Sequence, residues 1–196
     1  MSLLRTGLLL WLGCGQAPDA PAPAEPVAAA TPEDRALAEA DRIVAESRDR
    51  LTTRMIQELR RHPPTDDVAG GSIEADALTE AVPDGAAAPA GQTSLRLRNP
   101  ANTAPAWVTA WLEAQGDREA SGVTGIRQVE DTDAGRVARV LTPIPLEPRC
   151  LTCHGPEDTL PVDVRTDLSR RFPDDRATGY QVGDLRGALW AEVPVR

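Results

Sequence analysis

Residues 123–141 read VTGIRQVEDTDAGRVARVL. Two β-rich runs, 123–129 and 136–141, flank EDTDAG at 130–135, whose Asp and Gly content suits a tight reversal, so the stretch predicts an antiparallel hairpin. Strands that return on themselves within a few residues build antiparallel sheets, and such a sheet needs helices or a second sheet over its apolar face. Outward from the hairpin, residues 186–195 alternate again, and on the N-terminal side SLRLR at 94–98 alternates polar and apolar until Asn99-Pro100 stops it. Between these, Trp107, Val108, Trp111 and Leu112 recur at helical spacing after Pro105, which predicts a helix with both tryptophans in the core.

Further out, Thr31 followed by Pro32, Glu33 and Asp34 is a helix start: a capping hydroxyl, proline at the first helical position and acids at the positive end of the dipole. The pattern runs to Arg61, with Leu37, Val44, Leu51, Met55 and Leu59 on one stripe, and Pro63-Pro64 ends it. Thirty residues make about 45 Å, longer than a small domain is wide, so part of this helix is expected to project or to pack against a partner, a homodimer through the helix being one option. A short helical pattern with Ile73, Ala77, Leu78 and Ala81 on one face follows, then a Pro/Gly/Ala-rich loop at 83–91. The element order gives an α+β class, an antiparallel sheet with flanking helices preceded by a long N-terminal helix.

The 196 residues carry 21 basic and 30 acidic side chains, a formal net charge of -9, and every basic residue is arginine. Nucleic-acid binding needs a clustered basic surface, which this balance does not supply. The longest apolar run near the start, residues 7–13, is barely two helical turns, far short of a membrane span. Residues 1–13 instead read as a cleaved export signal: Arg5, an apolar core of Leu8, Leu9, Leu10, Trp11 and Leu12, then Gly13 directly before Cys14. Leu-rich sequence ending in Gly-Cys resembles a bacterial lipoprotein signal, with Cys14 as the lipidated first residue. An ordinary secretory leader is the alternative, and both place the chain in the periplasm or cell envelope, anchored to the outer rather than the inner membrane if lipidated. Residues 14–31, with four prolines and no periodicity, read as an extended spacer, and 32–196 as the folded domain.

With Cys14 set aside, one pair of cysteines is left, Cys150 and Cys153, too few for a disulfide framework. Cys150-Leu151-Thr152-Cys153-His154 spells C-x-x-C-H, the attachment signature of c-type haem. Two thiols at this spacing reach the two vinyl groups on one porphyrin edge, and the next side chain, His154, becomes the proximal iron ligand. Zinc wants four ligands and finds no second pair, since His62 stands alone. A thioredoxin-like disulfide would sit after a strand at a helix start, whereas this motif follows the proline-rich PIPLEP.

Three blocks, 94–107 (SLRLRNPANTAPAW), 145–155 (PLEPRCLTCHG) and 179–188 (GYQVGDLRGA), together resemble an exported single-haem c-type family with a PAS-like fold that also occurs in sensory membrane proteins. The resemblance implies one covalent haem c in a PAS-like domain. Members carry a cysteine after a Gly-rich turn whose thiolate binds iron opposite the histidine; aligned through Gly70, Gly71, Ser72, Ile73 and Glu74, that place is Asp76. Asp76, His62 or Met55 could then supply the sixth ligand, or the position could hold water or stay open. His62 also reads as a helix C-terminal residue facing the dipole, and Met55 as core. Arg98 and Arg186 are candidates for the haem propionates, because a guanidinium fork matches carboxylates, although each could instead anchor backbone carbonyls; Asp184 could orient Arg186. Gly155, Gly183 and Gly187 mark tight turns or a close approach to the macrocycle.

The function expected is redox or small-ligand sensing through the haem, passed to an unknown signalling or redox protein. The alternatives are an electron-transfer cytochrome steered by its acidic surface, and an exported thiol-disulfide oxidoreductase. No Ser/His/Asp set or phosphate loop points to an enzyme.

Overall fold

The computed structural model describes residues 29–61 and 88–196. Cys14, His62, Asp76 and the helical pattern at 73–81 lie outside them, as does most of the leader and spacer.

Four antiparallel strands form one sheet: β1 (Ala90–Thr93), β2 (Ile126–Thr132), β3 (Gly135–Pro145) and β4 (Leu185–Pro194), in the order β1-β4-β3-β2. The hairpin reading holds, with a shorter reversal than EDTDAG: the strands pair from Ile126↔Leu141 to Thr132↔Gly135, leaving Asp133 and Ala134 as the loop. β3 also runs further than expected, through PIP. Proline is tolerated there because β2 ends opposite Leu141, so beyond it one edge of β3 faces no strand.

Two helices sandwich this sheet, and strand alternation divides the core between them. On β4, Leu189, Ala191 and Val193 face α1 (Pro32–Arg61), while Ala188 and Trp190 face α2 (Ala106–Gln115). The α1 side adds Ala36, Ala40, Ile43 and Val44 against Ala138 and Val140. Small side chains on both surfaces let helix and sheet approach closely, so Ala36, Ala40, Ile43 and Val44 are buried there while Leu37 and Leu51 of the stripe are only partly so. The Thr31 start is present: its Oγ1 accepts from Asp34 N (3.1 Å), and its own N donates to the Asp34 carboxylate (3.0 Å), a reciprocal cap. On the α2 side Val108 and Leu112 are buried, but Trp107 and Trp111 are only partly so; Trp107 meets Trp190 edge to face at 6.0 Å and carries the Arg139 guanidinium over its ring.

The alternating SLRLR is not a strand. The edge strand lies just before it, at AGQT, and Ser94 Oγ accepts from Arg96 N (3.0 Å), turning the chain out of the sheet. Residues 94–98 instead grip the segment that precedes β4: Leu97 O accepts from Arg176 N (3.0 Å), Arg96 Nε donates to Arg176 O (3.1 Å), and Arg96 also reaches Thr178 O. Nor does α1 project. Up to Leu51 it packs on the sheet, and beyond that its continuing face, Thr52, Met55 and Leu59, walls a cavity. Among the described residues no helix is long and apolar enough to cross a membrane.

Candidate functional site

The cavity has a volume of about 230 Å³ and is bounded by α1, the end of β3, residues around Ser94 and Arg98, and the C-x-x-C-H segment. A 3-10 turn, Pro148–Cys150, leads from β3 into the single-turn helix α3 (Leu151–His154), so the motif does follow a strand and open a helix. The proline-rich approach is therefore no argument against a thioredoxin-like site. Both thiols are free, and burial pushes both up from the ordinary thiol value. Helix α4 (Val162–Arg171) packs behind the motif, with Leu160, Val164, Leu168 and Phe172 clustered against Cys153.

Cys150, Cys153 and His154 all line the cavity. His154 Nδ1 lies 2.6 Å from Ala177 O. A carbonyl can only accept, so Nδ1 carries the proton and Nε2 keeps its lone pair for a metal, the arrangement that fixes a ligating imidazole. Burial holds the ring well below its usual protonation range, and the charges of Arg186 and Arg98 act in the same direction, so the imidazole is neutral and ligand-competent. The backbone is pinned as well: Tyr180 N donates to His154 O (2.9 Å) and Gly179 N to Gly155 O (2.7 Å). At Gly155 a Cβ would come within 2.7 Å of Leu151 O, so only glycine lets the helix close this tightly after the histidine.

Behind this runs a network that sequence reasoning missed. Arg98 Nε donates to Asp175 Oδ2 (2.8 Å) with both side chains about nine-tenths buried, and Arg98 Nη2 donates to Cys153 O. Asp175 Oδ1 accepts from Ala177 N (2.7 Å), and Ala177 O holds His154. Arg98 thus anchors a backbone carbonyl, and ties the C-terminal end of the motif, Cys153 and His154, to residues 175–177. No sequence pattern signals a backbone carbonyl as a partner; the Asp175 to Ala177 spacing of an Asx turn was the only hint.

Arg186 is placed differently. It lines the cavity and lies over the Tyr180 ring at 5.3 Å; Nη1 donates to Arg96 O (3.4 Å), and its Nε is enclosed without a hydrogen-bond partner. Burial lowers its hold on the proton, so an anion arriving beside it would be strongly favoured. Asp184 does not orient it; its carboxylate accepts from Gln181 N (2.7 Å) and closes the turn before β4. Gly187 likewise serves the sheet rather than the cavity, lying against Thr93 O of β1.

Paired thiols, a metal-ready imidazole and a guanidinium with an unpartnered Nε on one largely apolar cavity are the donor set that a c-type haem requires, so the residues fit that group. Cys150 and Cys153 would hold it covalently, His154 would face the iron, and Arg186 would meet a propionate. Among the described residues no cluster of three or more His, Cys, Asp or Glu forms an alternative metal site.

Comparison with known proteins agrees with this architecture. A family model described as Tll0287-like matches residues 30–194. Among solved structures, the cyanobacterial heme-protein Tll0287 superposes with a TM-score of 0.55 at 20% identity, covering 77% of this chain and 92% of that one. No curated protein matches. With the family model spanning the long helix, the whole sheet and the C-x-x-C-H segment, the chain belongs to the Tll0287-like family.

Proposed function

We propose that this chain is an exported haem protein that carries one covalent haem c on Cys150 and Cys153, with His154 as proximal ligand, and works in redox or small-ligand sensing. The observation that carries this reading is the His154 ring: its Nδ1–H is taken by Ala177 O at 2.6 Å, on the wall that also presents both thiols. The family relative is itself described as a heme-protein. A bound haem supplies one-electron chemistry and a coordination position at iron. The chain's own residues bind and tune it: α1 and β3 exclude water, Arg98 and Asp175 fix the motif, and Arg186 neutralises a propionate.

On this reading Cys14 is the lipidated residue, residues 14–31 give slack from the envelope membrane, and output passes to a separate redox or signalling protein. A second reading, electron transfer, is favoured by Met55 on the cavity wall, because a thioether is an iron ligand typical of carrier cytochromes. The test is export of the full chain alongside a cytochrome c maturation system, followed by oxidised and reduced visible spectra. A c-type spectrum whose colour stays with the denatured chain supports the proposal. A colourless chain, or haem that washes out, refutes it.

A further inference from the structure

The cavity has a second feature that the attachment motif does not use. From α1, Arg48, Leu51, Thr52, Met55 and Leu59 line it, at spacings of three and four that make one helical face. Met55 is half-buried there and, among the described residues, belongs to none of the three buried apolar clusters that build the core. It lies on the same cavity that Cys150, Cys153 and His154 line.

Among the described residues, few side chains around the cavity can hold iron; His62 and Asp76 lie outside them. On the haem c reading Cys150 and Cys153 would hold the porphyrin edge and His154 would face the iron, and Glu147 is ion-paired with Arg149. Thr52, Thr93, Ser94, Gln92 and Asn102 offer only neutral oxygens or amides, poor competitors for a haem iron. All three motif ligands come from one five-residue segment, so the other side of the macrocycle must be covered by a different element. Helix α1 supplies such a wall, and on it Met55 has the one soft, polarizable donor among these five residues, at the end of a flexible chain with three rotatable bonds.

We infer that the thioether of Met55 is the sixth iron ligand, opposite His154. This rests on the haem c reading above and deepens it: a filled, low-spin His/Met site raises the reduction potential, closes the iron to small ligands, and makes the oxidation state of the haem what the protein conveys.

The full-length matured protein and its Met55→Leu and Met55→His variants test this, with covalent haem content measured separately for each by the pyridine derivative. In the parent protein the ferric spectrum is low-spin with the weak long-wavelength band of iron–thioether ligation. In Met55→Leu, nearly equal in volume, that band is lost, the iron becomes high-spin, and carbon monoxide binds the ferrous form rapidly. In Met55→His the iron stays low-spin without the band, at a lower potential. A parent spectrum lacking the band, or a Met55→Leu spectrum identical to the parent's, overturns the assignment and moves the ligand elsewhere. Absence of covalent haem from the parent sinks the haem c reading and this inference together, whereas covalent haem without the band sinks Met55 alone.

Discussion

Replacing Arg98 by methionine tests the network behind the C-x-x-C-H motif. The guanidinium is 9% exposed and its partner Asp175 11%, so removing the cation strands a carboxylate with only the Ala177 N–H to satisfy it. Breaking one side of a buried pair costs about 3–5 kcal/mol, and the remaining hydrogen bond places this case near the lower end, about 3 kcal/mol. For a folded part of this size each kcal/mol moves the melting temperature by roughly 2–4 °C, so Arg98→Met is expected to melt about 6–12 °C below the parent. Removing the stranded charge as well, in Arg98→Met/Asp175→Asn, should recover part of the loss, because two neutral side chains no longer bury an unpaired ion. Thermal and urea unfolding of the full chain at neutral pH would measure both. A single variant within about 1 kcal/mol of the parent, or a double variant less stable than the single, would refute the view that this pair is a buried, mutually dependent anchor.

Other consequences can be checked in the same way. Gly187→Ala places a Cβ 2.0 Å from Thr93 O, so β1 must detach from β4 and unfolding should come at lower denaturant, while Gly122→Ala, whose Cβ meets nothing, should leave the transition unmoved. Leu189→Ala empties a 1% exposed site between α1 and the sheet and should cost about 3 kcal/mol, against under about 0.5 kcal/mol for Leu95→Ala at 44% exposure. Asp34 is held below the ordinary carboxylate value, first by the Thr31 hydroxyl and then by the Thr31 backbone N–H. Its folded-state value is depressed, so the cap stabilises above the unfolded carboxylate value and is lost as pH falls through the folded one; Thr31→Ala should move the Asp34 titration upward in a carboxyl-detected NMR titration.

Much of this fold was legible because its signals are local. The hairpin announces itself by two β-rich runs about a short polar insert, and the start of α1 by Thr31, Pro32 and Asp34. What misled was pattern without context. SLRLR has a strand's alternation, yet its arginines reach across to carbonyls at 176 and 178, and the true edge strand, AGQT, has weak strand formers. The β-rich run was read only to 141, yet an open edge admits proline and carries β3 on through PIP. The apolar stripe on α1 was visible, but of it only Val44 is fully buried; Ala36, Ala40 and Ile43 lie at the same depth, where facing alanines on β3 and β4 set the approach distance. At the site, the motif was evident from five residues, and the division of labour between the two arginines was not. That depends on Asp175 and on backbone carbonyls brought close only by the return of the chain along residues 175–180.

The most direct test of the central claim is the intact mass of the chain exported with a cytochrome c maturation system, measured under denaturing conditions beside a Cys150→Ser/Cys153→Ser variant. The account predicts one haem added to the parent, no loss of it on acid extraction, and none on the double variant. A parent chain at its bare polypeptide mass, or haem that stays on the variant without either cysteine, would contradict it.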